Sequence, residues 1–106
     1  MKSIRVALLI SFSFAAVAHA APVAEVWKEK CKSCHGETGK GDTKQGKKEK
    51  VDDMTNAGWQ TKWTDEKIKT VILDGSPDNK KMKPFKEKLS AEDIDALVKH
   101  IRTFKP

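Results

Sequence analysis

At 106 residues the chain has room for one small domain, and its 21 lysines and arginines against 15 acids give a formal charge of +6. Charged residues make up 34% of it and aromatic residues 7%, with no tyrosine, so the polypeptide supplies little core of its own. A domain this small usually needs disulfides, a metal or a cofactor, because its own burial barely offsets chain entropy.

The N-terminus reads as a segment removed on maturation. Lys2 and Arg5 precede an apolar run from Val6 to Val17 broken only by serines, and Ala18-His19-Ala20 fits a small-x-small cleavage site. A run of about a dozen residues falls short of the ~20 that a membrane-spanning helix needs, so no stable membrane anchor is expected. The expectation is a periplasmic protein with residues 1–20 a cleaved signal peptide and residues 21–106 the mature domain. Removing 20 residues from 106 leaves 86, and with Lys2 and Arg5 gone the balance is 19 basic against 15 acidic, a formal +4. Export, together with acids interspersed among the lysines, argues against a nucleic-acid partner.

Ala24 to Ser33 has helical periodicity, with Val23, Val26 and Trp27 on one face and Lys28, Glu29, Lys30 and Lys32 on the other. It leads straight into Cys31-Lys32-Ser33-Cys34-His35. From Gly36 to Val51 the chain is rich in glycine and lysine and almost free of apolar residues, which predicts a surface loop. Thr64 is placed to cap a second helix with Asp65 and Glu66 in its first turn, Ile68, Val71 and Ile72 as its apolar stripe, and Gly75 at its end. Ser90 is placed to cap a third helix, with Asp93 three residues on, Ile94, Leu97, Val98 and Ile101 as its buried face, and a run to the terminus. Ser76 to Leu89, with Pro77, Met82, Pro84 and Phe85, is irregular, and no alternating strand pattern occurs. The expected class is all-α, three main helices with long loops.

Cys31, Cys34 and His35 carry the chemistry. Two thiols two residues apart can add across the two vinyl groups of one haem, and a histidine directly after the second thiol can bind the iron as proximal ligand. A thioredoxin-like dithiol should open a helix beside a strand, whereas this motif closes a helix in a chain without strands. A zinc site needs two further Cys or His ligands, and beyond the thiols the mature chain has only His35 and His100. A plain disulfide leaves the histidine and the missing core unexplained. One covalent haem c at Cys31 and Cys34 is the expected cofactor.

On these residues the chain resembles the class I c-type cytochromes, small monohaem electron carriers. The resemblance spans nearly all of residues 21–106. It rests on Trp27 four before the first cysteine, on Cys31 to Gly36, on Gly39-Lys40-Gly41-Asp42, and on Met82-Lys83-Pro84-Phe85 ahead of the Leu89-Ser90-Ala91-Glu92-Asp93-Ile94 helix start. It implies a small cytochrome c fold wrapped around one haem, with Met82 as second axial ligand through its sulfur. The residues point the same way: only Met54 and Met82 remain after Met1 is lost, a thioether is a soft ligand suited to haem iron, and Met82 lies in a non-helical segment. Met54 reads as core filler. His100 falls where relatives carry an aromatic residue against the first helix, near Trp27. Trp59 is either the indole that reaches a haem propionate in similar proteins or a packing residue. Two departures stand out: relatives often have a proline after the haem motif, near the carbonyl that orients the proximal imidazole, and Thr43 to Val51 has none; and Lys83 separates Met82 from Pro84.

A His/Met iron has no vacant site, which favours electron transfer over catalysis. Lys80, Lys81, Lys83, Lys86 and Lys88 surround Met82; they are either solvated surface or a basic rim that steers an acidic redox partner. The expected protein is a monomeric, non-enzymatic electron carrier. Alternatives are a haem c subunit of a larger oxidoreductase, or a ligand-binding or peroxidatic haem protein with a labile sixth site.

Overall fold

The computed structural model describes Ser3, residues 7–11 and residues 21–106; the expected cleavage site at residues 18–20 lies outside the described residues. The described residues contain six helices and no strand, in the order α1 Val23–Lys30, α2 Lys32–His35, α3 Lys44–Glu49, α4 Ala57–Lys62, α5 Asp65–Asp74 and α6 Ala91–Arg102. None of the described helices is long and apolar enough to cross a membrane.

The all-α class and the three main helices stand as expected, with α1, α5 and α6 in those roles, and the boundaries are set by local chemistry. Thr64 accepts a bond from the Lys67 amide at 3.2 Å and Ser90 one from Asp93 at 3.1 Å, so each hydroxyl satisfies a helix-start donor that has no partner within its own helix. The first helix differs from expectation: it breaks at Cys31, where φ −123 leaves helical geometry, and restarts as the single turn α2. The predicted loop between Gly36 and Val51 holds α3. This helix has no apolar stripe; Thr43 caps it through the Gly46 amide at 2.9 Å, and Lys50 closes it in the left-handed region at φ 55. The last helix stops at Arg102, and Phe104 turns back into the core.

Val26, Trp27, Ile68, Ile72, Ile94, Leu97, Val98, Ile101 and Phe104 form the buried core, where α6 packs against both α1 and α5. Along it lie Cys31, Met54, Trp59, Trp63, Leu73, Met82, Phe85 and Leu89, apolar yet only half buried. Apolar surface left part-exposed beside a small core is surface that a flat apolar group could cover.

Candidate functional site

Trp27, Thr43 and Gly41 hold the turn from Cys31 to Gly36. The Trp27 indole donates to the Gly36 carbonyl at 2.9 Å, tying the end of the motif to α1. The Thr43 hydroxyl lies 2.7 Å from the Ser33 carbonyl and 3.1 Å from that of Cys34, and the Gly41 amide donates to the His35 carbonyl at 2.9 Å. Gly46 completes the cradle. A Cβ there would strike the Cys34 carbonyl oxygen and lie 2.7 Å from that of Gly41, so only glycine lets α3 approach so closely.

Cys31 and Cys34 are free thiols, both half buried. Burial, with Cys34 adding to it, pushes the Cys31 thiol up to about 12, so it stays protonated at neutral pH. A redox-active dithiol needs the opposite shift. Burial lowers the His35 imidazole below its ordinary range, against an opposing effect of Asp52, and keeps the ring neutral with a nitrogen lone pair to offer a metal. His35 Nδ1 is buried without a hydrogen-bond partner. The carbonyl expected to orient it is therefore not in contact; in the segment after the motif, Thr43 serves the Ser33 and Cys34 carbonyls. Two unpaired thiols, a neutral orphaned imidazole and half-buried apolar side chains fit a haem; they do not fit a disulfide.

Met82 is half buried against the core in the irregular segment, its amide donating to the Asn79 carbonyl at 3.1 Å and its carbonyl accepting from Ser76 at 3.0 Å. Trp59 lies on α4, stacked on Trp63 with ring centroids 5.8 Å apart. Both rings border a shallow cleft with Asp52, Asp53, Asn56 and Lys62. Met54 packs on the core, and His100 meets Trp27 at 5.3 Å between ring centroids, both as expected.

Sequence reasoning missed the residues that hold α4. The Arg102 guanidinium donates to the Gln60 carbonyl at 2.7 Å, to Gln60 Oε1 at 2.9 Å, to the Trp63 carbonyl at 2.5 Å and to Asp65 at 2.6 Å. Gln60 in turn donates to the carbonyls of Met54 at 2.7 Å and Ile101 at 3.0 Å. The sole signal was an arginine in the last turn of an otherwise amphipathic helix.

A helical fold built on a Cys-x-x-Cys-His turn defines a c-type cytochrome, an electron carrier using haem c. The profile of the family described as "Cytochrome C oxidase, cbb3-type, subunit III" matches residues 18–101. Among solved structures the KustC0563 c-type cytochrome is similar, with 37% identity and a TM-score of 0.73 over 81% of this chain and 100% of that one. A mutant of Kustc0563 aligns over 80% of this chain and 100% of its own, at 36% identity and a TM-score of 0.69. No curated protein matches. The chain belongs to the class I c-type cytochromes, within the family of that cbb3-type subunit III profile.

Proposed function

We propose that the chain is a periplasmic electron carrier with one covalent haem c, attached through Cys31 and Cys34 and ligated by His35 and Met82. The observation that carries the reading is the pair of free, half-buried thiols next to a half-buried, neutral His35. Cys31 and Cys34 would hold the haem by adding each thiol across one vinyl group, sulfur to one carbon and hydrogen to the other, so nothing would be released. Haem supplies the one-electron couple. His35 and Met82 would hold the iron between them and leave substrate no place on it, a ligand set suited to carrying electrons rather than to catalysis. Trp59 contributes its indole N–H to a propionate, a role supported by its half-buried place on α4, and Arg102 and Gln60 hold that helix.

Export by a signal peptide ending near Ala20 is supported by Leu8, Leu9 and Ile10, which are 80%, 92% and 67% exposed on the N-terminal run. Side chains so apolar and so exposed do not belong to a finished domain. Exposed Lys80, Lys81, Lys83, Lys86 and Lys88 form a basic rim about Met82 for an acidic redox partner that a monomer meets transiently.

The test is the absorption spectrum of the holoprotein in both redox states, with carbon monoxide added to the ferrous form. Slow carbon monoxide binding and a methionine-to-iron charge-transfer band that Met82→Ala abolishes are expected. Fast binding by the unaltered protein, or a band that survives the substitution, overturns the axial assignment and favours a labile sixth site.

A second reading, a haem subunit of a larger oxidoreductase, is favoured by the subunit III description of the matching family. Co-purification with a membrane oxidase from native extracts separates it from a free carrier.

A further inference from the structure

The segment that carries Met82 makes few bonds to the rest of the protein, and one residue organises it. Gly75 ends α5 at φ 82, and the chain then turns back so that the Ser76 amide meets the Met82 carbonyl. Inside this turn Asn79 uses every polar atom it has. Its amide donates to the Ser76 hydroxyl at 3.3 Å, its carbonyl accepts from the Met82 amide at 3.1 Å, and its Oδ1 accepts from the Lys81 amide at 2.9 Å. Its Nδ2 leaves the turn altogether and donates to the carbonyl and Oε2 of Glu49, both at 3.3 Å. Glu49 ends α3, the helix whose Gly46 and Thr43 cradle the Cys34 carbonyl. A single amide thus joins the Met82 turn to the helix that braces the cysteine motif, across 30 residues of sequence.

We infer that Asn79 is a positioning residue that holds Met82 in place by bridging its turn to Glu49 at the end of α3. The inference rests on Met82 being the second axial ligand. Without the bridge the segment keeps its internal bonds and its tie to α5, where the Phe85 and Lys86 amides donate to the Ile72 and Leu73 carbonyls, but loses its tether to α3, and Met82 yields its position more readily to a competing ligand.

The experiment is titration of the ferric holoprotein with imidazole, read in every variant by the shift of the main haem absorption band and, where Met82 is present, also by loss of the methionine-to-iron charge-transfer band. Asn79→Asp keeps the size of the side chain and the acceptor that serves Lys81, but removes the Nδ2 donor and sets a carboxylate against Glu49. It should bind imidazole about tenfold more tightly, the effect of the two lost Nδ2 bonds to Glu49 plus a like-charge contact. Glu49→Gln combined with Asn79→Asp removes the like-charge contact and restores the side-chain bond with the roles exchanged, though not the bond to the residue 49 carbonyl, and should return the affinity part of the way, to within about threefold of the unaltered protein. General destabilisation does not predict that rescue. Met82→Ala is the reference: if it binds imidazole no more tightly than the unaltered protein, the ligation reading itself fails. If it binds far more tightly while Asn79→Asp matches the unaltered protein, ligation stands and the role of Asn79 is overturned. Should Asn79→Asp alone not accumulate, Asn79→Ser, which keeps a hydroxyl in the turn but cannot reach Glu49, decides: tighter imidazole binding than in the unaltered protein supports the bridge, and equal affinity overturns it.

Discussion

Trp27 reaches across nine residues to donate its indole hydrogen to the carbonyl of Gly36, the residue after the histidine of the motif, at 2.9 Å in a buried setting. Trp27→Phe keeps most of the ring and leaves that carbonyl only the long bond from the Gly39 amide at 3.5 Å. A buried acceptor left so poorly satisfied costs about 1–2 kcal/mol. Guanidinium unfolding of the holoprotein should show a loss of this size, and an unchanged midpoint would mean that the bond is dispensable.

Gly46→Ala tests the brace on the other side of the motif. The new methyl would meet the Cys34 and Gly41 carbonyl oxygens, both backbone, so neither can rotate away. The expected loss is about 2 kcal/mol or more, as for an overpacked core, with a lower yield of protein carrying attached haem. Gly58→Ala on α4, where the nearest obstacle is Asn56 Oδ1 at 3.1 Å, should change stability by less than ~1 kcal/mol.

Arg102→Lys should show how much the α4 clamp depends on a guanidinium. Lysine cannot reproduce a planar fork that bonds Gln60, Trp63 and Asp65 together. Thermal unfolding should reveal a loss of about 1–3 kcal/mol. Asp65→Asn should lose under ~1 kcal/mol, because the Asp65 side chain is 70% exposed and such ion pairs contribute little.

His100 gives the protein an acid-sensitive stability term. Its ring sits between Trp27 and Phe104, at 5.3 and 5.2 Å between centroids, its Nε2 is buried without a partner, and burial lowers its pKa. The unfolded chain binds a proton near the ordinary imidazole value of ~6.5, the folded protein only at lower pH. Between these values the unfolded state holds more protons, so stability is full above ~6.5 and lost as pH falls through the lowered value. Holoprotein unfolding followed from pH 7 to pH 5 should therefore decline less steeply in His100→Phe than in the unaltered protein. Parallel curves would assign the acid limb elsewhere.

Electron exchange with an acidic redox partner should slow as ionic strength rises from 10 to 200 mM, by roughly tenfold if several lysines of the Met82 rim take part. A double charge reversal, Lys81→Glu with Lys83→Glu, should flatten that dependence. A rate indifferent to salt would remove the steering role from these exposed lysines.

Much of the fold was legible because its signals are short-range. Thr64 and Ser90 were readable as caps since a hydroxyl and the amide three residues on meet within one turn. The stripe of Ile94, Leu97, Val98 and Ile101 was readable since helical spacing alone puts those residues on one face, and all four are buried. Helix α3 was not legible. Lys-Gln-Gly-Lys-Lys-Glu has no apolar stripe, and it is helical because Thr43 caps it and Gly46 lets it lie against Cys34. The break at Cys31 and the return of Phe104, whose ring fills the place where a Cβ on Gly39 would stand, likewise depend on what lies opposite.

The sequence by itself determined that this chain is a helical c-type cytochrome and marked Cys31, Cys34, His35 and Met82 as the residues to watch, because residue type and spacing within a few positions set that chemistry. Tertiary structure alone decided how these residues are supported: Arg102 on Gln60, Asn79 on Glu49, Thr43 on Cys34 and an imidazole nitrogen left without an acceptor. The bonds among these join residues 9 to 42 positions apart. Partners at that separation are chosen by how helices pack, and no local pattern encodes them.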